Sequence, residues 1–189
     1  MERIDEKELI EKAKHEPEAF GDLYRHYVER IYNYHYRHTN SREEAEDLTS
    51  RTFYRALRNL HAYQDRGATF QAWLFRIAHN LLVNHYRDSG RRPSIALEDA
   101  PPLSAEYGNP ERELESEETQ SQLLDLIATL PEERKTLVIL KFVEQMSNTE
   151  IGIVLGKSEG AVKALYHRTL TSLRAILLME QSNHDFQNP

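Results

Sequence analysis

The chain has 189 residues, a formal net charge of -7 and no cysteine, which removes disulfides, thiol nucleophiles and cysteine-ligated zinc and is compatible with a reducing cytoplasm. That length accommodates one large or two small domains, each with a real core. No apolar run approaches a membrane span, and the opening MERIDEKELIEK is charged throughout, unlike a signal peptide, so a soluble cytoplasmic protein without membrane insertion is expected.

A first helix is predicted from Asp5 to about Lys14, with Asp5 and Glu8 in capping-box spacing and Leu9, Ile10 and Ala13 on one side. His15-Glu16-Pro17 breaks it. From Glu18 to about His38, Phe20, Leu23, Tyr24, Tyr27, Ile31 and Tyr34 repeat at helical spacing, a stripe that reads as core packing. Ser41 with Glu44 starts a third helix, which turns Ala45, Leu48, Thr52, Ala56 and Leu60 inward and Glu43, Glu46, Asp47, Arg51, Arg55 and Arg58 outward. Acids lead and bases follow, as the helix dipole favours.

After a loop containing Gly67, a fourth helix begins at Thr69, with Phe70, Trp73, Leu74, Ile77, Ala78, Leu81 and Leu82 as its buried stripe. Its other side carries Arg76, Asn80, Asn84 and Arg87, which share one face, and Arg91 and Arg92 extend the positive charge beyond it. Arginines and amides on one face can neutralise phosphates and hydrogen-bond base edges, although a solvated amphipathic face has the same pattern. Charge is unevenly distributed. Residues 51–92 hold eight arginines against Asp65 and Asp88, a net +6, whereas residues 93–125 hold nine acids against Arg112, a net -8. From Pro93 to about Glu117 periodicity is lost in a run of Pro, Ser, Gly, Asn and acids, which reads as an extended linker between two helical domains.

Helix resumes over Gln120–Leu130, and Leu130-Pro131-Glu132-Glu133 opens another with proline at its start and acids in its first turn. Leu137, Val138, Leu140 and the stem of Lys141 are expected to pack against the helices after residue 147. The stretch from Ser147 to Arg174, SNTEIGIVLGKSEGAVKALYHRTLTSLR, has the grammar of a helix-turn-helix. Ser147 and Glu150 form a capping box, Ile151, Val154 and Leu155 give one apolar face, and Gly156 closes the helix in the left-handed conformation. Ser158 caps a second helix from about Glu159, whose Val162, Leu165, Thr169, Leu173 and Leu177 face the protein, while Lys163 and His167 lie elsewhere and Arg168 borders that polar side. Such a helix, presenting its N-terminus and a basic flank, suits the DNA major groove. Residues after Met179 read as a frayed tail.

The nine histidines include no pair four apart, and none follows a glutamate by three, so no helical metal site is expected, and only His35 and His38 share a helix face. Phosphate-binding glycine loops, nucleophile elbows and strand patterns are likewise missing from the sequence. The expectation is an all-α protein that is not an enzyme and has no catalytic residues, metal or cofactor.

These residues resemble the extracytoplasmic-function sigma factors, two-domain initiation subunits of bacterial RNA polymerase. The first half carries Ala45-Glu46-Asp47-Leu48-Thr49, Phe53, Arg55-Ala56, Phe70, Trp73-Leu74, Arg76-Ile77-Ala78, Asn80 and Arg87. The second carries Leu130-Pro131, Arg134, Leu137, Ser147, Glu150-Ile151, Leu155-Gly156, Ser158, Gly160 and Val162-Lys163. The resemblance implies a region 2-like helical domain at 1–92, an acidic linker at 93–117, a region 4-like helix-turn-helix domain at 118–180 and a tail at 181–189. It further implies that Glu46, Asp47, Leu48, Arg51 and Arg55 bind the clamp of the polymerase beta-prime subunit. Trp73, Arg76, Asn80, Asn84, Arg87, Arg91 and Arg92 would open and hold the -10 promoter element. Lys157, Ser158, Glu159, Gly160, Lys163, His167 and Arg168 would contact duplex DNA at the -35 element. The linker would thread the polymerase cleft, and an anti-sigma factor is a further partner that family members commonly have.

The sequence departs from the family pattern at Ser50, where glutamine is usual, at Gly152, where alanine is usual, and at Leu165, where many members carry arginine. The residues by themselves also admit a helix-turn-helix regulator with a helical sensor domain, or a helical adaptor that binds only protein.

Overall fold

The computed structural model describes residues 6–65, 67–90, 127 and 130–185, with side chains as far as 175. It divides into two compact units, and the regular elements among the described residues are all helical.

In the N-terminal unit, α1 spans Glu6–Ala13, too short to persist alone in water. Burial of Ile10 and Ala13 holds it, the isoleucine contributing on the order of 2 kcal/mol. Tyr27 of α2 donates its hydroxyl to the Glu6 carboxylate, and burial, reinforced by that carboxylate, raises the phenol pKa far above its ordinary value. The proposed Asp5 cap lies outside the described residues. Helix α2 spans Pro17–Thr39 and opens on a proline, whose fixed φ suits a first helical position. It closes at Asn40 in the left-handed conformation, φ 48°, whose amide donates to the Tyr36 carbonyl at 2.8 Å.

Ser41 follows at once and accepts the Glu44 amide at 3.3 Å, so α3, Arg42–Asn59, starts where the capping spacing placed it. A 3-10 turn, Leu60–Ala62, and a loop lead to α4, Phe70–Ser89, capped by Thr69 through the Ala72 amide at 3.3 Å. Phe20, Leu23, Ile31, Tyr34, Ala45, Leu48, Phe53, Ala56, Phe75, Ala78 and Leu81 form the core shared by α2, α3 and α4. Tyr24 corrects the expected stripe: it is 43% exposed and meets Phe53 edge-on at 4.7 Å. Its position lies at the margin of the arc set by Leu23 and Tyr27, so only one side of the ring is covered.

This core contains polar groups that stripe reading does not anticipate. Thr49 and Thr52 return their hydroxyls to the carbonyls of Ala45 and Leu48, each at 2.7 Å, which lets a hydroxyl be buried without losing a hydrogen bond. His35 and His38 are buried. His35 Nε2 lies 3.1 Å from Thr52 Oγ1, and Tyr34 Oη lies 3.0 Å from His79 Nδ1 on α4.

In the C-terminal unit, Leu130 packs with Ile127, Val138 and Leu173. The expected 120–130 helix otherwise falls outside the described residues, as does the 93–117 linker. Helix α5, Glu132–Val138, has Pro131 at its cap, and Leu137, Val138 and Leu140 are buried as expected. A π-helical turn, Ile139–Val143, then interrupts the pattern: the Glu144 amide reaches back to Ile139 at 3.1 Å and the Met146 amide to Leu140 at 3.0 Å. Gln145 takes a left-handed φ of 54° so that the chain can turn there. Helix α6 is Asn148–Leu155 and α7 is Glu159–Asp185. The tail expected from 181 is therefore helical as far as Asp185, because the sequence beyond Met179 contains no glycine or proline that would end a helix before that point.

Candidate nucleic-acid and polymerase interfaces

The turn between α6 and α7 is built by short-range chemistry. Ser147 Oγ accepts the Glu150 amide at 3.2 Å and the Ser147 amide donates to Glu150 Oε2 at 2.8 Å, which completes the capping box. Gly156 is left-handed, with φ 65° and ψ 35°, a conformation that side-chain-bearing residues rarely adopt. The Lys157 amide donates to the Gly152 carbonyl at 2.8 Å, and Ser158 Oγ accepts the Ala161 amide at 3.3 Å to start α7. Val162, Leu165, Thr169 and Leu173 of α7 are buried. Leu165 thus lies in the core at 4% exposure, so this departure from the family pattern fills the interior and takes no place on the exposed side of α7.

Of the residues expected to face duplex DNA, Ser158, Glu159, Gly160, Lys163, His167 and Arg168 are exposed and Lys157 is half-buried. They share the start and one flank of α7, as the spacing requires. Lys157 Nζ lies 2.8 Å from Glu133 Oε1 of α5. Lys163 Nζ lies 2.6 Å from Glu159 Oε1, and Thr149 Oγ1 of α6 donates to Glu159 Oε2 at 3.2 Å. The Lys163 hydrogen bond, with its charge, holds the Glu159 carboxyl below its ordinary pKa. The outward-facing lysines that the helical spacing predicts are thus each met by an acid, Glu133 for Lys157 and Glu159 for Lys163.

On α4, Arg76, Asn80 and Arg87 are exposed and Asn84 is half-buried, so the four-residue face exists. Val83, 48% exposed, lies beside it. Trp73 is half-buried and packs against Tyr63 at 5.2 Å and Phe70 at 5.4 Å. The Tyr63 hydroxyl donates to the Ala68 carbonyl at 3.0 Å, tying down the loop before α4, and burial pushes its pKa up to about 12. Arg91 and Arg92 lie outside the described residues.

On α3, Glu46, Asp47, Arg51 and Arg55 are exposed. Arg51 Nη1 lies 3.2 Å from Asp47 Oδ2, and Arg42 Nε lies 2.8 Å from Glu46 Oε1. Exposed pairs of this kind are weakened by solvent, so they leave the charges available to a partner. Leu48 is a correction. It is 0% exposed, because its place on α3 points into the α2–α3–α4 core, and it can support an interface but not touch one. Two residues were missed: Tyr54, 62% exposed, and Leu57, 45% exposed. They add apolar surface to the charged face of α3, with the Arg58 guanidinium 5.7 Å over the Tyr54 ring. An open groove of about 390 Å³ between α2 and α3 is lined by Tyr24, Val28, Tyr32, Glu46 and Ser50, among others. Among the described residues no helix is long and apolar enough to cross a membrane.

Residues 23–92 match the family description Sigma-70 region 2, and residues 120–173 match Sigma-70, region 4. The chain is 30% identical over 182 residues to the ECF RNA polymerase sigma factor SigW of Bacillus subtilis, covering 92% of this chain and 97% of that protein. It is 35% identical over 171 residues to the ECF RNA polymerase sigma factor BldN of Streptomyces coelicolor; there the match covers 90% of this chain and 65% of the relative's length. The fold is similar to the sigma factor RpoE from Bartonella quintana, solved with the anti-sigma factor NepR, with a TM-score of 0.64 at 19% identity over 84% of this chain and 96% of that one. Both halves of the architecture are thus present in order, and the chain belongs to the extracytoplasmic-function sigma factors of the sigma-70 family.

Proposed function

We propose that this chain is a dissociable promoter-specificity factor that joins bacterial RNA polymerase core, recognises the -35 and -10 promoter elements and promotes strand opening. The observation that carries this reading is the coexistence, in one chain, of a charged and partly apolar α3 face with a helix-turn-helix whose two helices start on the Ser147 and Ser158 caps. Glu46, Asp47, Arg51 and Arg55 would meet the clamp, with Tyr54 and Leu57 beside them. Arg76, Asn80, Asn84 and Arg87 would hold the opened -10 strand. The exposed start of α7 would enter the major groove at -35. The domains would run 1–92 and 118–180, joined by the acidic linker, with a tail beyond.

The protein would catalyse no reaction itself and would act in the cytoplasm, where its polymerase partner works. An anti-sigma factor is a fitting inhibitor, in keeping with the NepR complex of the structurally similar RpoE. Titration of labelled chain with core polymerase tests the reading. Saturable binding that weakens at least tenfold in Asp47→Arg is expected, with the far-ultraviolet circular dichroism unchanged because Asp47 is exposed. A chain that binds duplex DNA but not core would instead be a helix-turn-helix regulator.

A further inference from the structure

The start of α7 contains an acid where a simple phosphate-binding surface would have none. A carboxylate repels phosphates and can only accept hydrogen bonds. In the major groove the donors open to it are the exocyclic amines of cytosine and adenine. Glu159 is not a loose surface side chain: Lys163 holds one oxygen at 2.6 Å and Thr149, from the facing helix, holds the other at 3.2 Å. Both charged side chains still reach solvent, at 48% for Glu159 and 61% for Lys163. The result is an acceptor beside a donor, oriented by their neighbours and both open to a partner, at the N-terminal end of the helix expected in the groove, the end from which base edges are read.

Their order matches a particular base pair. In C·G the cytosine N4 amine stands beside the guanine O6, and guanine N7 adds a second acceptor for the ammonium group. In A·T the amine stands beside thymine O4, and the thymine methyl takes the place of a further acceptor. We propose that Glu159 and Lys163 together read one C·G pair of the -35 duplex, Glu159 accepting from cytosine N4 and Lys163 donating to guanine O6 and N7, so that Glu159 is a specificity-determining residue. This rests on the reading of α7 as the -35 helix. Lys157, just before α7, likewise lies 2.8 Å from an acid, Glu133 of α5.

In vitro selection from random duplexes with holoenzyme, followed by affinities for each single-base change, tests the proposal. The wild-type site should contain a C·G pair whose replacement lowers affinity about 5- to 150-fold, the range of a good base contact. Glu159→Ala should remove discrimination at that pair alone. It should also strengthen non-specific binding and steepen its salt dependence by about one unit, since Lys163 is released to a phosphate. Glu159→Gln keeps the side chain's size and should shift the preference from cytosine to adenine, which an amide recognises. If both variants select the wild-type site with undiminished preference, or lose affinity uniformly at every position, Glu159 only positions the helix and the proposal is overturned. If wild-type holoenzyme enriches no sequence, the -35 reading fails and this inference falls with it.

Discussion

The Lys157 carbonyl oxygen lies 2.6 Å from where a Cβ would stand at Gly152. The Lys157 amide also donates to the Gly152 carbonyl at 2.8 Å, so α6 and the turn are locked together at a separation only glycine permits. Alanine would gain about 1 kcal/mol of helix propensity, but a clash with backbone is not relieved by a side-chain rotation and costs about 1–3 kcal/mol. Gly152→Ala should therefore lower stability of the C-terminal unit by up to about 2 kcal/mol and weaken duplex binding by shifting α7. Urea unfolding that shows raised stability, with duplex affinity unchanged, would contradict this.

His35 makes the N-terminal unit acid-sensitive. It is fully buried, and burial, with smaller effects from His38, His85 and His79, lowers its pKa to about 3. On the neighbouring elements, Glu44 Oε2 lies 3.4 Å from His85 Nε2. The unfolded chain binds a proton at His35 near pH 6.5 and the folded chain does not. The neutral form's stabilisation is thus complete above that pH and is lost as pH falls from 6.5 toward 3, at up to about 1.4 kcal/mol per pH unit. His35→Gln, which can keep a hydrogen bond to Thr52, should flatten the stability profile between pH 6.5 and 5, before most carboxylates titrate. Equal slopes for the two proteins in thermal melts would contradict it.

Asn80 is exposed between Arg76 and Asn84 on a helix fixed by buried Leu74, Ala78 and Leu81. An amide there can pair with the edge of a base that has left the stack. Asn80→Ala should reduce permanganate reactivity of the opened -10 strand several-fold while duplex -35 affinity stays within twofold. Parallel losses in both assays would refute the assignment.

Much of this architecture was legible because helix starts are local. Ser41, Thr69, Ser147 and Ser158 each cap within three residues of their own position, and Gly156 closes α6 by its own backbone freedom. The π turn at Ile139–Val143 was not legible, since its residues continue an apolar helical pattern and the turn is set by hydrogen bonds that close through Glu144 and Met146. His35 and His38 read as a shared face, whereas the His35–Thr52 and Tyr34–His79 hydrogen bonds form only through packing of separate helices. At the site, Glu159 and Lys163 stand four apart, an ion-pair spacing visible in the sequence. Thr149, which fixes the carboxylate from across the turn, was not visible. Leu48 and Ala45 face inward as their helical spacing predicts, and Leu48 shares a sequence motif with exposed Glu46 and Asp47 without sharing their surface.

As an initiation factor, this chain should turn core polymerase into a promoter-selective enzyme. Run-off transcription measures it directly: core alone, core with the chain, and core with Asp47→Arg are each given a template bearing the -35 and -10 sequences selected by wild-type holoenzyme. A single transcript is expected, starting at a fixed distance from the -10 element, dependent on the wild-type chain and strongly reduced with Asp47→Arg. Binding of the chain to promoter duplex without any chain-dependent transcript would contradict it.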